Sequence, residues 1–332
     1  MEFKRRFSIT TSTLKKTILF LCLIGGFHSP SVLAEEATDF NCKAATSDNA
    51  AERRQAALEL LKHTYDTSKL GCGTKVMASI ADKSPADYDA HLAALQASAT
   101  YMYYLDRVVL YELGYLISWY VTEVPMETKL NAPMIALMAA REEHLRLLKQ
   151  ARDAGFETAE LDYYEGLSLG PVAKALPVLK DVVEKDPENL DGAAHALLAE
   201  TYYVLPDLVG GDLDLAITSM QAATERAPGN PRYARLLAGY LLDVDKTDEA
   251  TAILKRIMSM EPEMAGWQLQ ADQLRIAAGL AERMGKQGLA EQLTKQREGM
   301  LKAHPMLQSR NVVSAMGHFG VNDPMADPDQ GK

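Results

Sequence analysis

Proline and glycine are scarce in this chain of 332 residues, which contains 14 Pro and 21 Gly. Because both residues interrupt helices, their scarcity, together with abundant Ala, Leu, Met, Glu and Lys, favours a mainly helical structure. Basic residues are also outnumbered, with 35 Lys and Arg against 45 Asp and Glu, so the net charge is −10. Proteins that bind nucleic acid present a basic surface, so nucleic acid is not an expected partner.

The motifs of several common enzyme classes are missing too. The sequence has no HExxH zinc-protease motif, no P-loop and no GxGxxG dinucleotide motif. A GxSxG pattern around Ser168 is flanked by residues typical of a helix, whereas a catalytic serine of this type needs a strand-to-helix turn. Glu142, Glu143 and His144 lack the i, i+3 spacing of helical metal sites, and we interpret them as a solvated helix face. The sequence therefore predicts no catalytic residue, cofactor or metal site.

The N-terminal residues have the pattern of an export signal. Five basic residues precede an apolar run at 17–27, and Ala34 ends a small-residue sequence that signal peptidases cut. The run is shorter than the roughly 20 residues needed to span a bilayer, so an uncleaved anchor is the less favoured alternative. The residues before Cys22 do not form a lipobox. We therefore expect a cleaved signal peptide at 1–34, a periplasmic location, no lipid anchor and a more acidic mature chain.

Only three cysteines are present, and the mature chain would keep two of them, Cys42 and Cys72. In an exported protein, two cysteines close in sequence most simply form a disulfide. Closing a loop of about 30 residues would contribute roughly 3 to 4 kcal/mol in the chain-entropy model. Two free thiols are the alternative, and without CxxC spacing or a nearby histidine cluster a metal site is not indicated.

A spacing of 34 residues, the period of tetratricopeptide repeats, organises the second half of the chain. Apolar residues followed by a proline recur at this spacing: Ala216, Met220, Ala223 and Pro228 return as Ala250, Leu254, Ile257 and Pro262. The same internal spacing occurs upstream in Ala175, Leu179, Val182 and Pro187. We predict three helical-hairpin repeats and a terminal helix pair at about 267–303 that has lost the spacing, as capping repeats often do.

The predicted fold is all-α, a tetratricopeptide-type solenoid of helical hairpins with an additional helical N-terminal region. From the N-terminus we expect a signal peptide (1–34), a helical region with the disulfide (35–155), the repeats (156–305) and a loose tail (306–332). Helical periodicity before the repeats covers 50–65, 85–121 and 132–154, and we expect an interruption at Gly71 and Gly73.

A stripe of aromatic residues is the most suggestive candidate for a ligand site. Tyr104, Tyr111, Tyr115 and Trp119 fall on one side of a predicted helix. Rings with polar tips can line a pocket for a small amphipathic molecule, but they can equally pack as core. His195, on the first helix of a repeat, can face the inner groove of a solenoid or be an ordinary buried or surface histidine. With Tyr202 on the same helix, these residues are the predicted ligand-binding set.

The turn at residues 205–212 has five more residues than the corresponding turn of the next repeat. Asp212 is a natural N-cap for the following helix. Leu208 and Val209 would be exposed there, as a lip over a cavity or as an oligomer contact, and a plain long turn is the alternative. We name Leu208, Gly210, Gly211 and Asp212 as a candidate interaction turn.

Around this turn the sequence resembles a known family. The helix at 192–199, the turn Pro206-Asp207-Leu208-Val209-Gly210-Gly211-Asp212, and Ala216 with Pro228-Gly229-Asn230 are similar to the T-component of TRAP transporters, the TatT family of periplasmic tetratricopeptide proteins. The resemblance covers 160–262 well and 90–305 loosely. It implies a periplasmic solenoid, often a homotrimer, without enzymatic activity. It also implies a cavity for an apolar or amphipathic ligand and a TRAP substrate-binding protein as partner. The alternative function is a general periplasmic protein-interaction scaffold without a small-molecule ligand.

Overall fold

A computed structural model describes residues 49–61, 67–120, 132–169, 173–260 and 267–303. Within these ranges, side chains are described except at Thr67, Tyr104, 106–138, 267–269 and Asp272. The predicted signal peptide, Cys42 and the predicted C-terminal tail lie outside the described residues. In the described part of the chain the fold is all-α and contains no strand, which confirms the predicted fold class.

The described residues form twelve α-helices, and each contacts the next along the chain. They are α1 (Ala50–Leu61), α2 (Thr67–Lys83), α3 (Tyr88–Tyr120), α4 (Ala132–Asp153), α5 (Ala159–Leu169), α6 (Ala175–Lys185), α7 (Ala193–Val204), α8 (Leu213–Arg226), α9 (Pro231–Asp243), α10 (Thr247–Ile257), α11 (Trp267–Arg283) and α12 (Gln287–Ala303). Helix α3 also contacts α5, and α9 also contacts α11. Among the described helices, none combines the length and apolar character required to cross a bilayer.

The 34-residue spacing marks the buried faces of α6, α8 and α10. Its members are almost completely buried in all three helices: Ala175, Leu179, Val182, Ala216, Met220, Ala223, Ala250, Leu254 and Ile257. The helical-hairpin prediction is confirmed, because each of these helices packs against the helix before it. The hairpins bury apolar stripes that recur at helical spacing.

The buried apolar residues form two clusters. The N-terminal core is built mainly from α2, α3 and α4, and the repeat core extends from α6 to α12. Helix α5 contributes to both, since Leu161 and Tyr164 lie in the N-terminal core and Leu169 packs against the repeat core. The predicted boundary at 155/156 lies in the turn before α5, whereas the two cores meet along α5 itself.

The interruption predicted at Gly71 and Gly73 is wrong, because both glycines lie inside helix α2. A Cβ at Gly71 would lie 3.0 Å from the Tyr101 hydroxyl oxygen, and one at Gly73 would lie 3.1 Å from the Ala57 carbonyl oxygen. These glycines therefore allow α1 and α3 to approach α2 closely. Their role is packing, and no turn is formed here.

The prediction that His144 lies on a solvated helix face is also wrong. His144 is fully buried, with Nδ1 3.2 Å from the Ser98 hydroxyl oxygen of α3 and Nε2 3.4 Å from the Tyr164 carbonyl oxygen of α5. A neutral ring that carries its proton on Nε2 satisfies both partners. Burial lowers the pKa of His144 to about 4, so the ring is neutral at neutral pH.

Candidate functional site

Side chains of α5, α7, α9 and α11, the first helices of successive hairpins, meet on one face, which we call the first-helix face. Helix α7 reaches α9 through Glu200 and Arg232, and α9 reaches α11 through Arg235 and Gln273. On α9, Arg232, Arg235 and Gly239 are spaced i, i+3 and i+7, which places them on one side of the helix. The predicted repeats thus give a continuous line of polar side chains across three hairpins.

An ion pair that is mostly buried lies at the centre of the first-helix face. Arg232 Nη2 donates to both carboxylate oxygens of Glu200, at 2.6 and 2.7 Å. The side chains are 23% and 26% exposed, so the pair is mostly shielded but still reaches solvent. Burial acts to lower the pKa of the Arg232 guanidinium, but the Glu200 charge outweighs it and the pKa is raised. Arg232 is therefore a fixed cation on the first-helix face.

Helix α3 supplies an aromatic cover for this cation. The Tyr103 ring lies 5.3 Å from Arg232 Cζ, which is cation–π distance. Tyr163 of α5 lies close enough to Arg232 and Glu200 for their charges to act on its hydroxyl, although burial is the main cause of its raised pKa. The N-terminal helices thus bound one end of the first-helix face.

The other end is bounded by an aromatic pair. Tyr203 of α7 stacks on Tyr240 of α9, with ring centroids 4.3 Å apart and an interplanar angle of 19°. The Tyr203 hydroxyl donates to Asp243 Oδ2 at 2.6 Å. Burial and this bond to a carboxylate raise the pKa of Tyr203, so the hydroxyl stays protonated at neutral pH.

Between these ends, a Cβ placed on Gly239 would have no heavy atom of the described residues within 4 Å. Arg235 lies one turn before it, with Nε donating to Gln273 Oε1 at 2.9 Å. Gly239 is seven positions after Arg232, so the backbones of the two residues are about 10 Å apart along the helix. The face therefore combines a cation, aromatic walls and free space.

The donors that Glu200 leaves on Arg232 suit this face to binding an anion. Arg232 contacts Glu200 through Nη2, and its Nε and Nη1 make no hydrogen bond to the described residues. An anion can accept from these donors while Glu200 keeps Nη2. The described side chains of this face include no serine, cysteine or histidine to serve as a nucleophile or general base.

Of the predicted ligand residues, His195 and Tyr202 lie away from the first-helix face. Tyr202 is buried in the repeat core, with Lys180 Nζ 5.4 Å from its ring centroid. His195 is also buried, and burial followed by the Arg226 charge lowers its pKa. Both side chains are therefore buried, and Tyr203, the neighbour of Tyr202, is the ring that reaches the first-helix face.

The four aromatic residues predicted on α3 have helical backbones, but their side chains lie outside the described ones: Tyr104, Tyr111, Tyr115 and Trp119. The pocket predicted for them stays a prediction. Sequence reasoning missed Tyr103, Glu200 and Arg232. The repeat phase puts Leu198 and Leu237 in the core, so it places Glu200 and Arg232 on the opposite side of their helices, but it does not show that they pair.

The candidate interaction turn is held by its own backbone. Gly211 N–H donates to the Pro206 carbonyl at 3.0 Å, and Gly210 has φ +99°, which favours glycine. Asp212 caps α8 as predicted, since its Oδ1 accepts from Leu215 N–H at 2.9 Å. Leu208 is 96% exposed, so this rigid turn presents an apolar tip to solvent.

The structure also bears on the predicted disulfide and on the serine of the GxSxG pattern. Cys72 is buried and disulfide-bonded, but Cys42 lies outside the described residues, so the pairing stays a prediction. Ser168 lies in helix α5, and its hydroxyl donates to the Glu165 carbonyl at 2.7 Å. Among the described residues, no group of three or more His, Cys, Asp or Glu side chains is arranged to hold a metal.

Comparison with known proteins does not assign this chain to a family. No protein-family model matches the chain. No curated protein matches it either.

Proposed function

We propose that the protein is a periplasmic, non-catalytic binding protein that holds a small apolar or amphipathic ligand. Its role would be that of a TRAP-transporter T-component, acting with a substrate-binding protein. The observation that carries this proposal is the first-helix face, where Tyr103 and Tyr163 lie beside the Arg232–Glu200 pair and Tyr203 bounds the other end. Tyrosines offer apolar area together with hydrogen-bonding tips, the composition of sites for amphipathic ligands.

Two further observations support a non-catalytic, exported protein. The Ser168 hydroxyl is bonded within its own helix, so the GxSxG pattern supplies no exposed nucleophile. The leader-like pattern at 1–34 supports export, and the resemblance at 160–262 supports the link to TRAP systems.

Native mass spectrometry of the protein purified from its own periplasm tests this proposal. We expect a small molecule to co-purify, seen as a mass excess that disappears on denaturation. The same experiment reports whether the protein is a monomer or the trimer implied by the resemblance. A preparation that carries no ligand and binds no TRAP substrate-binding protein would overturn the proposal.

A general protein-interaction scaffold is the second candidate, and the exposed Leu208 tip favours it. A leucine that is almost fully exposed on a turn can bury its apolar surface against a partner protein. Leu208→Ser should then abolish co-purification of the partner protein and leave any bound small molecule in place. Lys246→Ser, at a different exposed turn, is the matched control.

A further inference from the structure

We infer that the end of the α7–α8 hairpin is a docking surface for a protein partner that presents an apolar pocket bordered by Lys and Arg side chains. The apolar part of this surface, which we call the apolar edge, consists of Tyr203, Leu208, Val209 and Leu215. The inference rests on the proposed role as a non-catalytic binding protein. It goes beyond the proposed ligand site, because it assigns a separate surface to a macromolecule.

Exposed apolar side chains are concentrated at this end of the hairpin. Six large apolar side chains are exposed in the described part of the chain, and four of them are those of the apolar edge. The Asp212 N–H donates to the Tyr202 carbonyl oxygen at 3.1 Å, so the start of α8 returns to the end of α7 and all four residues lie at one end of the hairpin. Clustered exposed apolar side chains mark interaction sites, whereas single ones are common on protein surfaces.

The turn that carries Leu208 is held in one conformation by its own backbone. The Val209 and Gly211 N–H groups both donate to the Pro206 carbonyl oxygen at 3.0 Å, and the Gly210 N–H donates to the Asp207 carbonyl oxygen at 3.1 Å. A side chain that is already held in place loses little freedom when a partner binds. The turn therefore presents Leu208 at a low entropic cost.

Carboxylates without ion-pair partners border the apolar edge. The segment 203–215 contains three aspartates and no basic residue. Asp212 is used as the N-cap of α8. Asp207 and Asp214 are exposed, and neither forms an ion pair with a described residue. The apolar edge thus has a negatively charged border that the described part of the chain does not neutralise.

The turn between α9 and α10 extends this negative border. The Tyr203 hydroxyl donates to Asp243, so the ends of α7 and α9 lie side by side. The turn that follows α9 carries Asp245 and Asp248, which are exposed and likewise have no ion pair to a described residue. The basic residue of this turn, Lys246, lies 3.6 Å from a carboxylate oxygen of the same turn. The negative charge therefore continues across two hairpins.

These charges select the chemistry of the partner. A protein that buries the apolar edge brings its own surface against the carboxylates, so Lys and Arg are favoured around its pocket and acidic side chains are repelled. Nucleic acid and anionic membranes carry negative charge and are repelled in the same way. A protein with a basic-rimmed apolar pocket is therefore the occupant that fits this surface.

Photo-crosslinking in the cells that produce the protein identifies the partner. The photoreactive residue p-benzoylphenylalanine is incorporated in place of Leu208, whose side chain is so exposed that a larger one fits without repacking. Glu225 is the control position, because it is exposed on α8 about 16 Å along the helix from Asp214. We expect one protein, identified by mass spectrometry, to be crosslinked at position 208 and not at position 225.

Isothermal titration calorimetry with the identified protein tests the chemistry of the surface. Leu208→Ser should weaken binding at least about tenfold, because it removes an apolar anchor from the pocket. Asp207→Lys combined with Asp214→Lys should weaken binding about tenfold at low ionic strength and much less at high ionic strength, because salt screens the repulsion. Glu225→Lys makes the same change of charge away from the surface and should bind like the wild type. Circular dichroism confirms that each variant is folded.

Several outcomes would overturn the inference. Crosslinking at position 208 to a second copy of this chain or to lipid, or no crosslinking there, contradicts a protein partner of this kind. Unchanged affinity in Leu208→Ser contradicts the apolar anchor, and equal effects of the double aspartate variant and Glu225→Lys contradict the charged border.

The proposed function is judged separately. A crosslinked protein other than a substrate-binding protein would leave the docking surface standing and refute the TRAP role. A ligand that co-purifies in native mass spectrometry would support the proposed function even when no protein is crosslinked at position 208.

Discussion

At the scale of single residues, His144 gives the molecule a pH-dependent stability. The folded-state pKa is lowered to about 4 by burial, against an ordinary value of 6.5. Below pH 6.5 the unfolded chain binds a proton that the folded chain does not, so the free energy of unfolding falls as the pH decreases from about 6.5 to about 4. Between pH 7 and pH 5 the loss from this one residue is about 2 kcal/mol.

Urea unfolding at several pH values measures this effect. His144→Gln keeps a side chain that can donate and accept hydrogen bonds but does not titrate, so its stability should lose about 2 kcal/mol less than the wild type between pH 7 and pH 5. The surrounding carboxylates act on both proteins equally. Parallel curves for the two proteins would contradict the assignment.

The residues of the first-helix face show the limit of prediction from sequence at this scale. Leu237 and Ala238 could be placed in the core, because apolar periodicity is a local property of the chain. The Arg232–Glu200 pair joins residues on two different helices. An isolated charged residue is usually solvated, so nothing local distinguishes Arg232 from a surface arginine. The pair becomes visible only when the hairpins are stacked.

At the scale of elements, the turn between α7 and α8 is the best-specified connection in the repeats. A Cβ at Gly211 would lie 1.8 Å from the Leu205 carbonyl oxygen, so the backbone itself would have to move. We expect Gly211→Ala to lower the free energy of unfolding by about 2 kcal/mol or more. Gly229→Ala, where a Cβ meets nothing within 4 Å, should change it by less than about 0.5 kcal/mol. Thermal unfolding of both variants checks this difference, and similar midpoints would contradict it.

Glycines in this sequence have two structural roles, forming turns and allowing helices to pack closely, and only the first role was predictable from sequence. Gly210 and Gly211 follow a proline and precede a capping aspartate, a local pattern that indicates a turn. Gly71 and Gly73 looked like the same signal but lie within α2, where they admit Tyr101 and the backbone at Ala57. Close approach between helices depends on partners far away in sequence, so a single chain segment cannot reveal it.

At the scale of the whole molecule, α5 contacts both cores, and we expect this link to make them unfold as one cooperative unit. Leu161 is fully buried in the N-terminal core, while Leu169 at the other end of the helix packs on the repeat core. We expect Leu161→Ala to destabilise by about 3 kcal/mol and to increase hydrogen exchange of the slowest amides in both α2 and α8. Hydrogen exchange measured by mass spectrometry resolves the two helices. Faster exchange confined to α2 would show that the cores unfold separately.

The contact between Tyr103 and Arg232 has a consequence for the order of events during biosynthesis. The two residues are about 130 positions apart, and closing so long a loop carries an entropic cost that local hairpins do not bear. Individual hairpins can form as soon as their two helices are available. The place where a ligand would sit, in contrast, needs α3 to meet α9, so it is completed late. A growing chain therefore cannot complete the first-helix face until α9 has been synthesised.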